Sequence, residues 1–244
     1  MKKKVIAFVL FVALSMSVLI LVACDEEQVD NSWKDDPYLK LINKTNPVDE
    51  DYVPNDLVEI DNAYVVPHKQ NDSLKLEKAT VDAVTSMIDA MRGEGIDNIT
   101  ITSAYRTYQY QERLFSGYIA SEKANHPDMS DDEIKALVLT YSAAPGTSEH
   151  QSGLCVDLIT DEMDGLNNYG SETPKNPYDK GFAETEAYEW LKDHAHEYGF
   201  ILRFPENKTD ITGYEYESWH YRYVGVEHAT RIHEQGITLE EYLD

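Results

Sequence analysis

The chain has 244 residues, with 45 acidic against 21 basic side chains and a formal charge of −24 at pH 7. That balance excludes a nucleic-acid partner, whose phosphates demand basic surface, and it opposes folding down onto anionic lipid. The roughly 200 residues from Leu39 onward suffice for one domain with its own core.

Lys2-Lys3-Lys4 followed by an apolar run from Val5 to Val22 has the basic start and hydrophobic middle of an export signal. The run ends Leu21-Val22-Ala23-Cys24, the signature of a bacterial lipoprotein in which residues 1–23 are removed and Cys24 is acylated. An uncleaved membrane helix is the alternative, since the run is near the roughly 18 residues needed to span a bilayer. Either way the body is expected outside the cytoplasm, attached to the extracytoplasmic face of the bacterial membrane. Loss of the leader would remove three lysines and take the charge to −27. Residues 24–38 are acidic and lack apolar periodicity, as expected of a spacer. With Cys24 lipidated, Cys155 has no partner and the domain carries no disulfide.

Leu39 to Lys44 reads as a first strand, and Asn46-Pro47 and Val53-Pro54-Asn55 break the chain into turn-rich segments. From Leu74 to Arg92 apolar residues recur at helical spacing, and Gly93 closes the run. Asn98 to Ser103 alternates as a strand and delivers Arg106 just beyond its end. A helix over Tyr108–Lys123 carries Gln111 in its first turns. Ser130-Asp-Asp-Glu133 is a capping box opening a helix to about Tyr141. The turn Ala143–Thr147 leads into a strand over Leu154–Thr160. Residues 161–181, rich in Asn, Gly, Pro and acidic groups, read as a long loop near the cleft, either a gating element or an inert insertion. A helix from Ala187 to Tyr198 ends at Gly199, and a short strand covers Phe200–Phe204. Tyr214–Val224 then alternates, and Val226–Gln235 and Thr238–Leu243 give terminal helices. No repeats or low-complexity tracts occur. The fold class is α+β: a single domain with a small, mainly antiparallel sheet covered by helices.

Two stretches carry the chemistry. Ser148-Glu-His-Gln-Ser-Gly-Leu-Cys-Val-Asp157 offers one imidazole and one carboxylate, and Glu217-Ser-Trp-His220 offers a second imidazole. Two nitrogens and one oxygen suit a catalytic zinc with an open fourth position. On the strand Leu154–Thr160, Asp157 projects from one face, while His150 in the preceding Gly-containing turn can curl back to the same point. Glu217 and His220, three apart on a regular strand, would face opposite sides, so a bulge or bend is expected at Ser218 and Trp219. Glu217 is then free to act as a base. Arg106 at a strand mouth can fork onto a carboxylate or an oxyanion, or form an ordinary surface ion pair. His194 and His196 have no partner at ligand spacing and are assigned to packing and surface.

These motifs, with Ser103-Ala-Tyr-Arg-Thr107 and Gln111 ahead of them, resemble the zinc carboxypeptidases of the VanY type, from about Leu39 to the C-terminus. The resemblance implies that His150, Asp157 and His220 bind zinc and that Glu217 is the general base. It further implies that Arg106, Gln111 and Ser148 hold substrate, a peptidoglycan stem peptide ending in D-alanine. Cys155 departs from the small residue expected there. Three readings stay open: an exopeptidase of DD or LD specificity, a peptidoglycan endopeptidase, and a non-catalytic zinc-containing lipoprotein, against which the retained Glu217 argues. No protein partner is indicated.

Overall fold

A computed structural model describes residues 32–160 and 181–244, which belong to one compact unit beginning at Ser32. The expected signal, Cys24 and most of the 161–181 loop lie outside the described residues. Residues 32–38, expected in the spacer, pack on the body instead: the Trp33 ring sits 4.8 Å from that of Tyr242 and 5.8 Å from that of His228.

A small antiparallel hairpin comes first, β1 (Leu57–Glu59) with β2 (Lys75–Glu77), which leads directly into helix α1 (Lys78–Gly93). The main sheet has four strands: β3 (Ile99–Ser103), β4 (Cys155–Thr160), β5 (Phe200–Leu202) and β6 (His220–Tyr223). Their order is β3-β4-β6-β5, antiparallel throughout. Between β3 and β4 run α2 (Tyr108–Asn125) and α3 (Asp131–Tyr141); α4 (Glu186–His194) precedes β5, and α5 (Val226–Gln235) and α6 (Leu239–Leu243) close the chain. Among the described residues no helix is long and apolar enough to cross a membrane.

The two faces of the sheet have different work. Alternation along β4 and its cross-strand pairing send Val156, Leu158, Ile101 and Tyr221 to one face, where α1 lays Val84, Met87, Ile88 and Met91 against them in a single buried cluster. The same alternation sends Cys155, Asp157, Ser103, His220 and Arg222 to the other face. A second cluster of Leu39, Ile201, Val224, Ala229, Ile232 and Leu239 seats α5 and α6.

The capping box of α3 is present, with Ser130 N–H donating to Glu133 Oε2 at 2.8 Å and Glu133 N–H to Ser130 Oγ at 3.3 Å. Three expectations are corrected. The helix expected from Leu74 starts only at Lys78, because Lys75–Glu77 pairs with Leu57–Glu59 as a strand. Leu39–Lys44 forms no strand, because Asn43 Oδ1 accepts from the backbone N–H groups of both Thr45 and Asn46 and so curls the chain into a local turn. The helix expected over 187–198 is α-helical only to His194 and tightens to a 3-10 turn over Ala195–Tyr198 before Gly199, whose φ of +83° reverses the chain. His194 packs on Trp190, and His196 stacks on His233 with ring centres 4.0 Å apart.

Candidate metal centre and active site

His150 lies in a 3-10 turn, Glu149–Ser152, that ends at Gly153 with φ +69°. A Cβ at Gly153 would stand 2.9 Å from Leu57 Cδ2 and 3.3 Å from Glu77 N, so the hairpin leaves room only for glycine. This turn brings His150 back over β4. Its Nδ1 is 2.7 Å from the carbonyl oxygen of Ala104, which can only accept, so Nδ1 carries a proton and Nε2 is the nitrogen that faces inward. Nε2 is 3.3 Å from Asp157 Oδ2.

Asp157 and His220 are direct cross-strand partners, with Asp157 Oδ1 3.0 Å from His220 Nδ1. The expected bend at Ser218 and Trp219 takes the form of a turn immediately before β6, closed by His220 N–H donating to Glu217 O at 3.3 Å. It brings Glu217 Oε2 to 3.6 Å from His220 Nδ1. The rings of His150 and His220 stand nearly perpendicular, 5.0 Å apart. Cys155, two residues before Asp157 on the same face, places its thiol in the group as well: donor atoms of His150, Cys155 and His220 lie within 4.8 Å of one another.

Arg106 donates through Nε and Nη2 to Ser103 Oγ at 3.1 and 2.8 Å, and through Nη2 to Asp157 Oδ2 at 3.0 Å. Its Nη1 makes a long bond of 3.4 Å to Gln111 Oε1, and Gln111 is anchored by its own Nε2 to Ala143 O at 2.8 Å. Ser148 is buried just before the turn, and its side chain makes no capping bond there.

The electrostatics couple these buried groups to one another. Burial pushes the Asp157 carboxyl up, but the facing His150 and His220 outweigh it and hold the carboxyl well below the carboxylate range. Burial and Arg106 push the His150 imidazole down, while Cys155 and Asp157 lift it to about 9. Burial likewise opposes the charge on His220, which Cys155, Asp157 and Glu149 raise well above the ordinary value. Groups that draw protons onto two facing imidazoles would release them to a divalent ion. Burial also pushes the Glu217 carboxyl up to about 7, with Asp157 adding and His220 opposing.

Sequence reasoning missed the layer beneath. Glu149 is 4 % exposed, and its Oε1 accepts from Arg203 Nε at 2.8 Å and Arg222 Nη1 at 2.7 Å. Burial would raise its carboxyl, but the two guanidinium groups hold it well below the carboxylate range. The signal was available: Arg203 and Arg222 each interrupt an aromatic and apolar strand, where a buried charge requires a partner.

Fold and site together bring two imidazoles and a carboxylate to one point beside a separate carboxyl group, the donor set of a candidate metal-dependent hydrolase. The family model described as VanY, D-alanyl-D-alanine carboxypeptidase, matches residues 73–226, and the chain belongs to that family. It is 34 % identical over 224 residues to a D-alanyl-D-alanine carboxypeptidase of Enterococcus faecalis, covering 92 % of this chain and 70 % of that one. Among solved structures it is similar to a VanY D,D-pentapeptidase variant from a VanB-type resistance cassette in complex with Zn(II), with 34 % identity and a TM-score of 0.66, covering 85 % of this chain and 99 % of the other. It is similar too to the LdcB LD-carboxypeptidase, with 33 % identity and a TM-score of 0.68, covering 85 % and 87 %.

Proposed function

We infer that the protein is a zinc-dependent peptidoglycan carboxypeptidase that releases the C-terminal D-alanine of stem peptides. The observation that carries this reading is the convergence of His150 Nε2, Asp157 and His220 Nδ1 beside Glu217. Donors at about 2 Å from one tetrahedral ion lie about 3.3 Å apart. Asp157 Oδ2 stands 3.3 Å from His150 Nε2 and Oδ1 3.0 Å from His220 Nδ1, so each imidazole faces one oxygen of the same carboxylate at about that separation. Asp157 is taken as the third ligand because its carboxylate faces both imidazoles directly; Cys155, whose donor atom lies within 4.8 Å of those of both histidines, is the competing candidate.

Bound there, zinc supplies Lewis-acid chemistry, polarising the scissile carbonyl and activating water for attack. Glu217, with a carboxyl balanced near neutrality by burial, takes the proton of the attacking water and passes it to the leaving amine. Arg106, fixed at Nε and Nη2, presents Nη1 to the terminal carboxylate or to the oxyanion. Gln111, held by Ala143, and Ser148 orient the peptide beside it.

Relatives of both specificities share this fold: one solved neighbour is VanYB in complex with D-alanine-D-alanine, another the LdcB LD-carboxypeptidase. Incubation of the protein with defined penta- and tetrapeptide muropeptides, read by mass, tests the activity. Loss of one alanine from the pentapeptide assigns DD specificity, and loss from the tetrapeptide LD specificity. Release of larger fragments would assign an endopeptidase instead, and no release by zinc-loaded protein would sink the enzymatic reading. The sequence supports one further proposal, that residues 1–23 are a cleaved leader and acylated Cys24 anchors residues 24–244 to the outer face of the cell membrane.

A further inference from the structure

The buried layer under the metal centre leaves two polar atoms facing each other. Glu149 Oε1 is saturated by Arg203 and Arg222. Arg203 spends Nη1 and Nη2 on Glu240 at 2.8 and 2.6 Å, and Arg222 spends Nη2 on the carbonyls of Tyr38 and Lys40 at 2.9 and 2.7 Å. Both guanidinium groups are thus committed, and they lock the carboxylate in one orientation. Glu149 Oε2 is buried with no hydrogen-bond partner, and so is His220 Nε2. The two atoms are 3.7 Å apart, so a sub-ångström shift of the ring brings them to hydrogen-bond distance. The other nitrogen of the same ring, Nδ1, is the one turned to Asp157. Cys155 also lies against His220, but a thiol is a weak acceptor beside a carboxylate.

We propose that Glu149 is the positioning residue for His220: its Oε2 accepts the Nε2–H bond, which fixes the tautomer and aims the Nδ1 lone pair at the metal. A ligating histidine whose other ring nitrogen donates to a carboxylate is oriented and made more basic by it. Glu149 thereby serves both imidazoles, one by chain adjacency and the other by hydrogen bond. Its partners Arg203 and Arg222 extend the support to α6 and to the N-terminal segment. The proposal rests on His220 being a ligand, and the test separates the two.

The experiment uses the full-length protein, zinc-free and zinc-loaded, as wild type, Glu149→Gln, Glu149→Asp and His220→Ala. In Glu149→Gln the arginines can keep a carbonyl acceptor while an amide N–H faces His220 Nε2–H, two donors in opposition. Zinc affinity by chelator competition should fall roughly 10- to 100-fold. The rise in Tm on adding zinc should shrink in proportion, whereas a merely structural role would lower both Tm values and leave that rise unchanged. Glu149→Asp, which keeps the acceptor, should recover part of the affinity. If Glu149→Gln does not fold, the zinc-loaded wild type still decides: imidazole nitrogen NMR should show His220 protonated at Nε2, with that proton protected from solvent exchange. A His220 proton on Nδ1, or one exchanging at the solvent rate, overturns the proposal. Unchanged zinc affinity in Glu149→Gln overturns it too. Stoichiometric zinc in His220→Ala would instead overturn the ligand reading on which it stands.

Discussion

Asp157 and His220 oppose each other across two antiparallel strands, Oδ1 to Nδ1 at 3.0 Å, and Ser103 on the far side of Asp157 completes a row over three strands. The row sets Asp157 and His220 on paired strands at the middle of the sheet. Ser103 holds Arg106, Arg106 holds Asp157, and Asp157 faces both imidazoles, so a change at one position is felt at the next.

Replacing His150, Asp157 or His220 by alanine should abolish stoichiometric zinc binding, because two remaining protein ligands hold the ion too weakly. Cys155→Ala should keep it. Metal analysis after dialysis checks both statements, and loss of zinc from Cys155→Ala with retention in Asp157→Ala would exchange their roles.

Glu217→Gln should retain zinc while turnover falls roughly 10²- to 10⁴-fold, the usual consequence of removing acid–base catalysis. Undiminished turnover would remove the mechanism. The same substitution should stabilise the zinc-free chain in a pH-dependent way. The folded pKa, about 7, lies above the ordinary glutamate value, so the fold prefers the neutral acid. Its unfavourable contribution is absent at low pH, grows as pH rises through the unfolded value, and is complete above the folded one. Urea titrations should therefore find Glu217→Gln more stable by roughly 1–3 kcal/mol at pH 8 and nearly equal to wild type at pH 4.

Arg106→Ala separates two roles for one guanidinium. If it grips the terminal carboxylate, KM should rise and a C-terminally amidated peptide should be a poor substrate for the wild type; if it serves the oxyanion, kcat should fall instead. Because Arg106 also donates to Asp157, zinc content must be measured in parallel. Equal cleavage of free-acid and amidated peptides would move the assignment to an endopeptidase.

Gly153→Ala should destabilise the domain by about 2 kcal/mol or more, since alanine is strained at φ +69° and its methyl would crowd Leu57 and the backbone of Glu77. Zinc affinity should fall with it, as the turn carries His150. A Tm within a degree of wild type would show that the hairpin yields.

Cys24→Ser should abolish labelling by a fatty-acid analogue and leave the precursor unprocessed. Labelling that persists in the variant would rule out acylation at Cys24.

The sequence by itself determined the parts whose causes are local. Alternating Ile99–Thr102 and the Ser130–Glu133 box state their elements within a few residues and the structure forms both; the apolar spacing over Leu74–Arg92 gives its helix from Lys78 onward. The convergence of the candidate site residues was legible because two histidines and two acidic residues stand at spacings that a strand, a tight glycine turn and a bend bring to one point. Tertiary structure alone decided the rest. Residues 39–44 lost their strand to the side chain of Asn43, a competition that apolar pattern cannot weigh. Residues 32–38 joined the body because Trp33 meets rings more than 190 residues away. Glu149 reads in sequence as one more acidic residue among 45. Only the arrival of Arg203 from just beyond β5 and of Arg222 from β6 makes its burial possible, because a charge taken out of water needs partners that no local pattern can supply.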